Sequence, residues 1–124
     1  MLSSEKMVAF VSTTKADRAR AFYRDTLGLR LVSEDGFALV FDSNGTPLRV
    51  SIAPEVVPAK YTVLGWDVKD LRGTIRELKT KGVTFEVFGF FKQDDLGIWT
   101  APNGDQVAWF KDPDGNLLSV SHNA

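Results

Sequence analysis

Residues 38–51, Ala38-Leu39-Val40-Phe41-Asp42-Ser43-Asn44-Gly45-Thr46-Pro47-Leu48-Arg49-Val50-Ser51, return in altered form at 108–121 as Ala108-Trp109-Phe110-Lys111-Asp112-Pro113-Asp114-Gly115-Asn116-Leu117-Leu118-Ser119-Val120-Ser121. Laid over each other without a gap, the two stretches share Ala, Asp, Gly, Leu, Val and Ser, six positions of fourteen. At residue frequencies of ~5–10%, chance leaves roughly one. Each stretch reads as an apolar run, a polar turn and a second apolar run, the pattern of a β-hairpin. Asn44-Gly45 suits a primed turn, because both residues tolerate positive φ. The chain therefore reads as a duplication, with two copies too few and too long for a solenoid.

The segments around the hairpins repeat as well. Residues 7–12 are apolar and partly β-branched, the mark of a strand, and Thr14 with Asp17 resembles a capping box at a helix start. Ala19, Phe22, Tyr23 and Leu27 then follow helical spacing, with Gly28 placed as the residue that ends the helix. Strands are expected near 29–33, 37–42 and 47–52. The stretch 53–60, with Pro54 and Pro58, reads as a connector. Beyond it the order restarts: a strand at 61–67, a helix capped by Asp70 with Leu71, Ile75 and Leu78 on one face, and Gly82 at its end. A strand near 83–88, an aromatic and acidic loop, and strands near 97–100, 106–111 and 117–121 complete the second copy. The expected organisation is one domain made of two β-α-β-β-β modules, about 6–53 and about 60–122.

Composition sets the outer bounds. The 124 residues are 44% hydrophobic and 25% charged, with 15 Lys+Arg against 16 Asp+Glu and a formal net charge of −1, an ordinary globular balance able to bury a core. The absence of cysteine removes thiol nucleophiles, disulfides and thiolate metal sites together. Without a basic cluster there is no electrostatic footprint for nucleic acid or an anionic membrane. No apolar run reaches the ~18 residues of a membrane span and the first residues lack a signal peptide's apolar segment, so the expected location is the cytoplasm. A single histidine and no Gly-x-Ser-x-Gly elbow leave a Ser-His-Asp hydrolase without support. Phosphate-loop and dinucleotide fingerprints are missing too.

The two modules, the stretch Ala21-Phe22-Tyr23-Arg24-Asp25-Thr26-Leu27-Gly28-Leu29 and the turn Asp112-Pro113-Asp114-Gly115-Asn116 together resemble the glyoxalase/bleomycin-resistance/dioxygenase superfamily, the vicinal oxygen chelate fold. The resemblance covers almost the whole chain. It implies an α+β fold in which the modules' strands form an open, barrel-like mixed sheet around a cleft, with helices outside, commonly as homodimers. It does not settle function, since the fold hosts lyases, epimerases, dioxygenases, thiol transferases and proteins that only bind a drug.

In metal-dependent members, ligands project from the first and last strands of each module, usually His, Gln or Glu. Alternation sets Leu118 and Val120 on one face of the last strand and Ser119 and Ser121 on the other. The family's Glu stands where Ser119 is, its duplicate is Arg49, and the first-strand positions fall at about Val8 and Val63. A slip of one residue substitutes Met7 or Thr62. Valines offer a divalent cation no lone pairs and the Arg49 guanidinium repels it, so the expectation is no metal and no cofactor.

What remains on the expected cleft face is aromatic with one fixed cation: Phe10, then Phe37, Leu39 and Phe41 beside Arg49, and Trp109 with Lys111 beside Ser119. Phe10, Phe37, Arg49, Val63, Trp109 and Ser119 are the candidate ligand-binding residues. Rings stack a flat molecule and the Arg49 fork accepts an anionic oxygen. The plainer alternative is a filled core in which Arg49 pairs with a carboxylate such as Asp67. The loop Phe88–Trp99 reads as a lid, a dimer contact or local packing, with Asp94 and Asp95 solvated. His122 is expected at the surface. The leading expectation is a metal-free binder of a small aromatic or apolar, possibly anionic, molecule, with no assigned catalytic residue. The alternatives are a lyase, isomerase or dioxygenase with non-standard metal ligands, and a non-catalytic interaction module.

Overall fold

The computed structural model describes residues 1–124. They divide into two compact units, Met1–Pro58 and Ala59–Ala124. The first unit runs β1 (Ala9–Thr13), α1 (Ala16–Arg20, continuing as a π-helix over Ala21–Thr26), β2 (Arg30–Glu34), β3 (Ala38–Ser43) and β4 (Thr46–Ile52). Its sheet has the order β1-β4-β3-β2, with β1 parallel to β4 and the other pairs antiparallel. The second unit runs β5 (Leu64–Asp67), α2 (Leu71–Thr80), β6 (Trp99–Thr100), β7 (Gln106–Lys111) and β8 (Leu117–His122). Its order is β5-β8-β7-β6, with β5 parallel to β8. The duplication seen in the sequence is therefore a duplication of topology: two α+β units, each an open four-stranded mixed sheet.

Each sheet buries one face against its own helix. In the first unit Val11, Leu39, Phe41, Leu48 and Val50 meet Ala19 and Tyr23, with the rings of Tyr23 and Phe41 5.8 Å apart. In the second, Ala108, Phe110, Leu118 and Val120 form the core with Leu71, Ile75 and Leu78 of α2 and with Phe85. The 3-and-4 spacing of those three α2 residues explains the helix, and the Asp70 carboxylate starts it by accepting the Gly73 amide at 3.0 Å.

Three expectations are corrected. The N-cap of α1 falls on Lys15, one residue after Thr14, and the Lys15 amide is taken by the Thr13 hydroxyl at 3.2 Å. The helix then widens into π geometry, with the Leu27 amide bonding the Phe22 carbonyl, before Gly28 closes it at φ +77° as expected. The strand expected at 83–88 is a single bridge between Phe85 and Phe110, because β6 occupies the rest of that edge of β7.

The two hairpins differ in a way that bears on the site. Ser43 pairs with Thr46 across the two-residue turn Asn44-Gly45, both at positive φ. In the second unit Lys111 pairs with Leu117, and the Asp112 amide bonds the Asn116 carbonyl, leaving Pro113-Asp114-Gly115 at the tip. The extra residue moves the partners: Arg49 faces Val40, whereas Ser119 faces Trp109. Val40 thus corresponds to Trp109 and Phe41 to Phe110, one residue away from the gapless overlay.

Candidate functional site

The sheet face opposite the core carries the candidate residues of each unit. In β4, Leu48 and Val50 are buried, so Arg49 between them points away from the core. Its neighbours on that face are Phe10 of β1 and Val40 of β3, each directly across from it. Phe10 is 61% exposed. Arg49 is half-buried and enters none of the unit's ion pairs, which join Arg20 to Asp17 and Glu34, Arg24 to Asp25 and Arg30 to Asp42. Within its own unit the Asp67 carboxylate takes a hydrogen bond from Asn123 at 3.4 Å. The Arg49 charge reaches Asp35, whose carboxyl lies below its ordinary range chiefly because the amides of Phe37 and Ala38 donate to it, with Arg49 adding to the effect.

Leu39 and Phe41 are not beside Arg49. They pair with Val50 and Leu48 and are fully buried on the opposite face. Phe37, bonded through its carbonyl to the Ile52 amide, has their parity as well, and its side chain is 77% exposed at the end of the sheet. The cause is the turn: counting from the gapless repeat assigns β3 the alternation of β7 shifted by one.

In the second unit Ser119 lies between Gly65 of β5 and Trp109 of β7, with Val63 sharing its parity two residues before Gly65. Ser119 is 9% exposed, and a Cβ at Gly65 would collide with its Oγ. Glycine at this point is what lets the two strands pair with a hydroxyl between them. Val63 is half-exposed, its amide bonded to the Leu117 carbonyl at 3.0 Å.

Trp109 is the centre of a ring cluster on this face. Phe91 stacks on it at 5.5 Å with the planes 4° apart, Phe88 meets it edge-on at 5.5 Å, and Trp99 lies 6.2 Å away. Its indole N–H donates to the Thr62 hydroxyl at 3.0 Å. The loop therefore packs locally on its own sheet, although Val87 and Phe90 stay largely exposed. Gln93 ties the loop: its carbonyl accepts the Phe88 amide, and its amide donates to the Glu86 and Gly97 carbonyls. Asp94 is exposed as expected, and its carboxylate is nonetheless engaged. One oxygen accepts the Leu96 and Ile98 amides, and the other pairs with Arg72 at 2.8 Å. Burial pushes its carboxyl up, yet the two amides and the Arg72 guanidinium outweigh that and hold it below its usual range. Aromatic count marked this loop in the sequence; the rings' convergence on Trp109, and the parts of Thr62 and Gln93, had no local signal. His122 lies at the surface, with Nδ1 2.8 Å from the Val68 carbonyl.

A divalent cation needs several oxygen or nitrogen lone pairs converging on one point. On the first unit's open face Arg49 has Phe10 and Val40 for neighbours, and on the second unit's face Ser119 has Gly65 and Trp109. No group of three or more His, Cys, Asp or Glu side chains is arranged to hold a metal ion. The donors at these positions do not fit one. On the first unit's face the exposed ring of Phe10 stands beside the Arg49 guanidinium, and on the second unit's face the Trp109 ring is covered by Phe91 and Phe88.

Comparison with known proteins agrees with this architecture. The model of the glyoxalase/bleomycin resistance protein/dioxygenase superfamily matches residues 7–120. Among solved structures, a member of that superfamily from Sphaerobacter thermophilus superposes with a TM-score of 0.76 at 21% identity, covering 99% of this chain and 100% of that one. A bleomycin-binding protein complexed with bleomycin gives 0.74 at 21%, covering 98% and 100%. A lactoylglutathione lyase from Agrobacterium tumefaciens gives 0.74 at 19%, covering 96% and 93%. Identities this low speak to the fold alone. No curated protein matches the sequence.

Proposed function

Because the chain belongs to the glyoxalase/bleomycin resistance protein/dioxygenase superfamily, we propose a function from what its own residues offer within that fold: it binds a small aromatic or apolar anion without a metal ion. The observation that carries this is Arg49, a half-buried guanidinium in none of its unit's ion pairs, on the sheet face opposite the core and beside the exposed ring of Phe10. A carboxylate or enolate oxygen of the ligand takes two parallel N–H bonds from Arg49, and Phe10 covers its ring. Phe37 is left out of this reading, since its register places it on the other face. Val63, Ser119 and Trp109 line the corresponding face of the second unit. Sequestration rather than turnover is the role proposed; among structures of like fold, one is complexed with bleomycin and another is a lactoylglutathione lyase. The working form in this reading is a cytoplasmic homodimer, expected in solution at twice the 13.7 kDa of one chain.

A thermal-shift screen against aromatic acids tests the reading. A ligand at about a hundredfold excess over its Kd stabilises the native state by about 2.7 kcal/mol, and that gain disappears in Arg49→Ala. Elemental analysis after dialysis is the second arm. Retention of about one transition metal per chain would overturn the metal-free reading and bring forward a lyase or isomerase with non-standard ligands.

A further inference from the structure

A concavity lies in the Ala59–Ala124 unit, at the edge of its sheet formed by β6. It has a volume of about 390 Å³ and is walled by Arg72, Lys92, Asp94, Trp99, Thr100 and Gln106. Thr100 and Gln106 pair with each other, and Gln106 has the parity of Ala108 and Phe110, the residues packed under α2. Trp99 pairs with Val107 and shares the parity of Trp109, so the cavity takes residues of both faces at the β6 edge, where β6, the first turn of α2 and the 92–98 loop come together. Its size falls within the range of small-molecule sites.

The lining is chemically specific. Arg72 spends one nitrogen on Asp94, at 2.8 Å, and keeps its remaining donors. Lys92 is exposed and enters no ion pair. The Asp94 carboxylate accepts the Leu96 and Ile98 amides on one oxygen and Arg72 on the other, so it fixes the loop and orients the guanidinium. Two cations and one anion leave a single net positive charge. A monoanion balances that charge, whereas a dianion brings an unpaired charge close to Asp94. Trp99 supplies an aromatic wall whose ring is also 4.9 Å from Phe91, which joins the cavity to the ring cluster. The Gln106 amide donates to the Thr100 hydroxyl oxygen at 3.3 Å, leaving that hydroxyl's own proton for a ring substituent.

We propose that this cavity is a binding site for an aromatic monocarboxylate, with the carboxylate held between Lys92 and Arg72 and the ring laid against Trp99. The site is independent of Arg49, and its occupancy reaches the Trp109 cluster through Trp99 and Phe91.

Titration of the full chain with 4-fluorobenzoate tests it, followed by 19F line width and by the indole N–H resonance of Trp99, assigned through Trp99→Phe. Saturable broadening with a matching Trp99 shift is expected, and neutral 4-fluorobenzamide binds at least about tenfold more weakly. Lys92→Ala leaves the Arg72–Asp94 pair intact and weakens the Trp99-reported affinity by about tenfold or more; Arg72→Gln, which removes that pair, weakens it by a similar factor. No saturable Trp99 shift below about 10 mM overturns the proposal. So does an affinity unchanged in both variants, or a Trp99 response lost in Arg49→Ala. That last outcome moves the anion to the first unit and leaves the reading of Arg49 standing, so the two ideas fail separately.

Discussion

Gly65 and Ser119 show how tightly the open face of the second unit is fitted. An added Cβ at Gly65 meets the Ser119 hydroxyl, so Gly65→Ala is expected to destabilise by about 1–3 kcal/mol, the usual cost of overpacking. The double variant Gly65→Ala/Ser119→Ala removes the colliding oxygen and recovers most of the loss. Urea denaturation of the four members of that cycle measures the coupling, and equal losses in both backgrounds would refute the collision. Asp70 makes a simpler case. Its carboxylate holds the Gly73 amide at the start of α2, and Asp70→Ala is expected to cost about 1 kcal/mol in the same assay. Asp70 was legible because a cap residue and its helix are neighbours in sequence. Arg49 was legible too, since alternation along one strand sets its face. Gly65 was not, since its partner lies fifty-four residues away.

The loop from Phe88 to Trp99 is held by few groups, so single changes have large effects on it. Gln93 makes three backbone hydrogen bonds, to Phe88 and Gly97 within the loop and to Glu86 just before it. Gln93→Ala strands two carbonyls and an amide, with an expected cost of about 1–3 kcal/mol and a red-shifted tryptophan emission as the ring cluster opens. Asp94 adds a pH dependence. Its folded carboxyl lies below its ordinary value, so the unfolded chain binds the proton more readily. The contribution is therefore complete above the ordinary carboxylate range near pH 4 and is lost as pH falls through the lower folded value. Asp94→Asn is expected to flatten that acid limb of an unfolding-midpoint profile measured from pH 7 to pH 2. At this scale the sequence was read well where an element carries its own period or turn, as in α2 and the Asn44-Gly45 turn, although the face of β3 was not. It was misread where a neighbour decides: residues 83–88 have a strand's composition but only Phe85 finds a partner strand. The π-helix after Arg20 left no mark in the spacing of Phe22, Tyr23 and Leu27.

Across the molecule, two units of one topology carry unlike open faces, with Arg49 beside Phe10 and Val40 in one and Ser119 beside Gly65 and Trp109 in the other. Neither arrangement supplies converging lone pairs, so chelator treatment is expected to leave the thermal midpoint within about 1 °C of the untreated protein. A fall of several degrees would correspond to a lost kcal/mol or more and to an ion in place. The duplication was plain in the sequence, but its inner register was not, because Ala38 with Ala108 and Asp42 with Asp112 match by coincidence one position out of step.

That mismatch has a practical side. The added residue of the second hairpin is absorbed between Asp112 and Asn116, and Phe41 and Phe110 keep equivalent places in their cores. Growth at a tip is thus invisible to the strands beneath it. The exposed Asn44-Gly45 end, with less wrapped around it than its counterpart, is where a reporter peptide or a fluorophore could be spliced in and carried outward by a scaffold that does not register the cargo.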